Sequence, residues 1–162
     1  MSDPLTTYLN DHLAGSVAAI ELLDELVEHA RLADVRETLV GLRAEIKADQ
    51  ETLRGILESV GGQVSAIRRA GAWLGEKAGR LKLLADDPST GTLARLESLE
   101  MLALGILGKA SLWRALTAAQ PSRPELGAVD LAVLEQRARD QHAIVERLRL
   151  ESARRVLAPQ EG

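Results

Sequence analysis

Apolar side chains recur every three or four residues through four long tracts of this chain, a spacing that leaves room for helices and little else. In the first tract Leu5, Leu9, His12, Ser16, Ile20, Leu23, Val27 and Ala30 share one face. In the second, Val35, Leu39, Leu42, Ile46, Asp49, Leu53, Ile56 and Val60 do the same. A period of about 3.6 residues gathers such positions into one stripe of an α-helix. The third tract, from about Thr90 to Ala119, is apolar over most of its circumference and is therefore expected to be central. The fourth runs to about Val156, with Leu131, Leu134, Ala138, Gln141, Val145 and Leu148 on one face. No β-branched alternation and no Asn-Gly or Asp-Gly turn competes with this pattern.

Helix breakers divide the tracts. Prolines stand only at 4, 88, 121, 124 and 159. Pro4, after Asp3, suits an opening helical turn. Ala33 and Asp34 form a tight turn, and Asp34 with Glu37 predicts a capping box for the second helix, which Gly61-Gly62 ends. Ser122 with Glu125 predicts a second capping box, with Pro124 in its first turn. Turns this short make neighbouring helices antiparallel. The expected fold is therefore all-α: a single helical-bundle domain over 1–162, with a hairpin at 4–60, a crossover at 61–90 and a second hairpin at 91–157. Each long helix has about 28 residues, or ~40 Å.

Composition narrows the function. The 162 residues can bury a substantial core. A net charge of −4 argues against nucleic acid as a partner. With no cysteine there are no disulfides, thiolate metal sites or thiol nucleophiles. Tyr8, Trp73 and Trp113 are the only aromatic residues, so the core must be aliphatic and stacking on bases is not available. The opening Met1-Ser2-Asp3-Pro4 lacks the basic and apolar regions of a signal peptide, and no apolar run spans a bilayer, so a cytoplasmic location is expected.

Four polar residues interrupt the apolar stripes: His12, Asp49, Glu100 and Gln141. Counted from the hairpin turns, each pair lies within roughly one helical turn of the other. If both turns sit at the same end, all four converge on one layer. Two readings follow. A hydrogen-bonded core layer, with His12 bridging Asp49 and Glu100 and Gln141 completing it, would set helix register. Alternatively, His12, Asp49 and Glu100 would form a reduced site for iron, manganese or zinc, since imidazole and carboxylate suit those ions. His29 and His142 are read as solvated helix residues; Lys109 could pair with a carboxylate such as Glu100 or Glu97, but the favoured reading is a surface lysine whose amine reaches water. No phosphate-binding loop and no supported Ser–His–Asp arrangement marks an enzyme.

The hairpin–crossover–hairpin plan with a mid-bundle polar layer resembles the ferritin-like superfamily. The stretches Asp11-His12-Leu13-Ala14-Gly15 and Leu96-Glu97-Ser98-Leu99-Glu100, with Gly108-Lys109 and Trp113-Arg114, are similar to a group of uncharacterised bacterial ferritin-like four-helix-bundle proteins. In metal-binding members two helices each supply a Glu and the other two a Glu-x-x-His pair. Here the second and fourth helices lack that pair, the first offers His12 in place of a Glu, and only Glu100 fits.

The crossover is basic, with Arg68, Arg69, Lys77, Arg80 and Lys82 against the single acid Glu76, and its apolar side carries Ile67, Ala70, Leu74, Ala78 and Leu81. Such a segment can contact an anionic surface or cover the bundle with its apolar side; the second use is favoured. The expected function is that of a non-catalytic bundle without a cofactor. It would act through protein interaction or self-association as a homo-oligomer, a dimer. A degenerate metal or redox site is the alternative.

Overall fold

The computed structural model describes residues 3–65 and 91–158, with the side chains of 91 and 92 left aside. These residues are helical and carry no strand. Four long helices follow one another: α1 (Pro4–Glu28), α2 (Ala33–Ser59), α3 (Gly91–Ala119) and α4 (Leu131–Val156). Two 3-10 turns, Gln120–Ser122 and Pro124–Ala128, join α3 to α4. The apolar and basic residues singled out between 67 and 82 lie outside the described residues.

The helix ends follow local chemistry, though not always at the expected residues. Asp3 caps α1, its carboxylate accepting the Leu5 backbone N–H at 3.2 Å, with Pro4 in the first turn as expected. At α2 the expected capping box is not formed. Leu32 is the N-cap, without a side-chain bond, and Asp34 lies inside the first turn, where its negative charge still meets the positive end of the helix dipole. Gly61 adopts φ 74°, and the Gly62 N–H donates to the Leu57 carbonyl at 2.9 Å, closing α2 with a left-handed turn. The Ser122 capping box is also replaced. The chain spends Ser122 and Glu125 in the 3-10 turns, and α4 starts later, capped by Asp130, which accepts the Val133 N–H at 3.1 Å.

Two apolar clusters fix how the helices pack. The lower one joins Leu9 and Leu13 of α1, Leu53, Ile56 and Leu57 of α2, Ala110, Leu112, Trp113 and Leu116 of α3, and Leu131, Leu134 and Ala138 of α4. The upper one joins Leu23 and Leu26, then Val35 to Ile46, then Leu99 to Ile106, then Val145 and Leu148. The start of α1 thus lies beside the ends of α2 and α3 and the start of α4. α1 and α4 run one way, α2 and α3 the other.

This has a consequence for the turns. Ala30, beside the first turn, belongs to the upper cluster, and Leu126, in the second, to the lower. The two hairpin turns are therefore at opposite ends, not the same end. Because α2 and α3 are parallel, the end of α2 and the start of α3 lie at opposite ends of the bundle. The chain just beyond α2 is firmly held. Buried Asn10 donates through Nδ2 to the Gln63 carbonyl at 3.2 Å and accepts the Ser65 N–H through Oδ1 at 3.0 Å, fastening the chain beyond α2 to α1. At the same end Arg123 pairs with Asp3 at 2.9 Å, tying the second turn to the α1 cap and holding the Asp3 carboxyl below its ordinary range.

α3 packs against both α1 and α4, which agrees with a central role. It is not enclosed, however. Leu93, Leu104 and Leu107 are 42%, 63% and 45% exposed on its outer side. No described helix is long and apolar enough to cross a membrane.

Candidate functional site: a buried charge network between two apolar clusters

Every helix changes from one apolar cluster to the other across a polar residue. On α1 it is Ser16, on α2 Asp49 and Gln50, on α3 Lys109, on α4 Gln141. The polar layer is thus the seam of the core. Its centre is Asp49, whose side chain is 1% exposed. A buried carboxylate is stable only when paired and fully hydrogen-bonded, and here both oxygens are engaged. Oδ2 accepts from the Lys109 ammonium at 2.6 Å and from the Gln141 amide at 3.3 Å. Oδ1 accepts from the Arg137 guanidinium at 2.8 Å.

The network closes on itself. Lys109 also donates to Gln141 Oε1, and Gln141 Nε2 donates to Glu45 Oε2 at 3.0 Å. Gln141 is fully buried and both ends of its amide are occupied. The two cations, Lys109 and Arg137, balance the two carboxylates, Asp49 and Glu45. Burial pushes the Lys109 amine below its ordinary value, and the neighbouring Asp49 charge works against that shift. Alongside, Gln50 donates to Ser16 Oγ at 2.8 Å and Ser16 donates to the Leu13 carbonyl at 2.6 Å, which satisfies the α1 side of the layer.

Asp49 and Gln141 meet in this layer, with the two turns at opposite ends of the bundle. Glu100 does not join them. The expectation for Glu100 took the last helix to begin at Ser122. The 3-10 turns use the residues up to Ala128 and α4 begins at Leu131, so the residue of α3 opposite Gln141 is Lys109, and Glu100 lies about nine residues, or ~13 Å, farther along. Its side chain is 58% exposed and faces Arg149 at 3.8 Å. Lys109, expected to reach water, has a side chain only 14% exposed and completes the layer instead. The sequence signal for it was present: a lone cation inside the most apolar helix needs either the surface or a buried carboxylate, and Asp49 was the unpaired carboxylate.

His12 stands beside the network rather than in it. It lines, with Asp49, Lys109 and Trp113, a cavity of about 80 Å³ between α1, α2 and α3. Its ring meets Tyr8 edge-on, centroids 4.7 Å apart. Burial lowers the His12 pKa, and only Asp11 opposes the shift. A Trp113 indole N–H, fully buried beside the cavity, has no acceptor among the described residues.

The His12 shift has a testable sign. Burial disfavours the imidazolium, so the folded state binds fewer protons than the unfolded chain between the lowered pKa and the ordinary value near 6.5. Stability is expected to be full above that window and to fall as pH drops through it. Urea melts at pH 7 and pH 5 should show a larger loss in the wild type than in His12→Gln. Equal losses would place the pH dependence elsewhere.

The residues do not fit a metal site. A divalent ion needs several free oxygen or nitrogen donors, yet both Asp49 oxygens already bind an ammonium, a guanidinium and an amide, and Glu100 is remote. Among the described residues, the carboxylate and imidazole atoms close enough to share an ion are those of Glu25, Glu28 and His29, at the solvent-exposed end of α1. His29 and Glu25 form a loose pair at 3.9 Å there. The chain matches no protein-family model, no curated protein and no solved structure.

Proposed function

We propose that this chain is a non-catalytic four-helix bundle of the ferritin-like plan, in which a buried ion network takes the place of a metal centre and sets helix register, and that it acts by self-association. The observation that carries this reading is the saturation of Asp49, with cations from α3 and α4 at both oxygens. The Lys109 ammonium supplies, without a metal, the positive charge that a carboxylate at the bundle centre requires. The parallel course of α2 and α3 supports the ferritin-like plan. A network of directed bonds between three helices penalises any slip of one helix by a turn, because the slip leaves Asp49 buried and unpaired.

Metal content tests the proposal. Protein expressed in medium supplied with iron, manganese and zinc is expected to purify with no stoichiometric metal by mass spectrometry. About one or two ions per chain, lost in Asp49→Asn, would overturn it and restore the metal reading.

A further inference from the structure

The outer face of α3 has no partner among the described residues, and its side chains are unusual for a solvated helix. Leu93, Leu104, Leu107, Gly108, Ser111 and Ala115 follow one another along it, and each of the first three is more than two-fifths exposed. Exposed leucines in a row along one helix mark a surface that binds something. The charges at its two ends say what. Glu97 and Glu100 stand on the N-terminal side of Leu104 and Leu107, and Arg114 stands on their C-terminal side. Glu97 has no partner among the described residues. Glu100 and Arg114 have only long ones, Arg149 at 3.8 Å and Glu135 at 3.5 Å.

We infer that the outer face of α3 binds the same face of a second copy of this chain, as an antiparallel helix pair about a two-fold axis between Leu104 and Leu107. In such a pair Leu104 of one copy lies against Leu107 of the other. The acidic pair Glu97 and Glu100 lies against Arg114 of the other copy, and symmetry makes this contact twice. A parallel pairing would instead set acid against acid and Arg against Arg. Gly108 and Ser111 lack bulk, so the two helices can approach closely. The inference rests on the proposed self-association and names its surface.

Light scattering on the full chain across micromolar to millimolar concentration tests it. The wild type is expected to be a dimer, and Leu104→Glu with Leu107→Glu to raise the dissociation constant by about a hundredfold or more. Both leucines are exposed, so circular dichroism should show unchanged helix content. Arg114→Glu should weaken the dimer, and Arg114→Glu combined with Glu97→Arg and Glu100→Arg should restore it. A wild type that stays monomeric, its α3 face covered by another part of the chain or left bare, would overturn the inference. So would a dimer that both leucine substitutions leave intact. Either result would leave the metal-content test of the ion network standing by itself.

Discussion

Lys109→Ala is expected to destabilise the fold by about 3 kcal/mol, a large share of the stability of a domain this size. The loss comes less from the contact itself than from what remains. Asp49 is too deeply buried to reach water, and after the substitution it keeps only Arg137 and Gln141. Removing one partner of a buried pair leaves a charge that the interior solvates poorly. Asp49→Ala should cost less. The Lys109 amine is already pushed toward its neutral form by burial, and its side chain retains some access to solvent, so it can shed a proton or turn outward. Replacing the set together, with Asp49→Leu, Lys109→Met and Gln141→Leu, should recover most of the loss, because no buried polar group is then left unpaired. Urea titration of the four proteins measures the order. A Lys109→Ala protein as stable as the wild type would show that the network contributes nothing to the fold.

Trp113→Ala is expected to cost about 3–5 kcal/mol. Trp113 is the largest fully buried side chain among the described residues and belongs to the lower cluster, where all four helices meet. Truncation removes its burial and enlarges the cavity it already borders, and a four-helix junction cannot collapse to fill the space. Trp113→Phe separates two contributions. It gives up part of the ring volume but also removes an indole N–H that is buried without an acceptor among the described residues, a penalty of about 1–3 kcal/mol. The Phe variant should therefore lie within about 1 kcal/mol of the wild type, and the Ala variant far below it. Thermal melts of both decide the matter. A Phe variant as damaged as the Ala variant would mean that the indole N–H is satisfied in solution.

The helical periods of the four tracts were open to reading because a helix repeats its environment every three to four residues, and burial writes that repeat into the chain. Helix ends were less accessible. Asp34 and Ser122 carry the right side chains for caps, but a neighbouring backbone chose Leu32 and Asp130 instead, through differences of about 1 kcal/mol that tertiary contacts outweigh. Asn10 gave no periodic signal at all. Its role as the clasp for Gln63 and Ser65 exists only once α1 and the end of α2 are side by side.

What the sequence by itself determined was the number of long helices, their buried faces and the presence of polar residues at Asp49 and Gln141 within those faces. These are local properties, set by which side chains must leave water. Which of those residues meet was decided only by the tertiary structure. Two hairpins can be assembled with their turns together or opposed, and either choice buries the same apolar stripes. The 3-10 turns between α3 and α4 set that hairpin's register, so that Lys109 and not Glu100 faces Gln141, and packing with the turns at opposite ends brings both Lys109 and Gln141 to Asp49 while Glu100 stays at the surface. The physical reason is charge: a buried carboxylate needs a cation, and this assembly brings one to it.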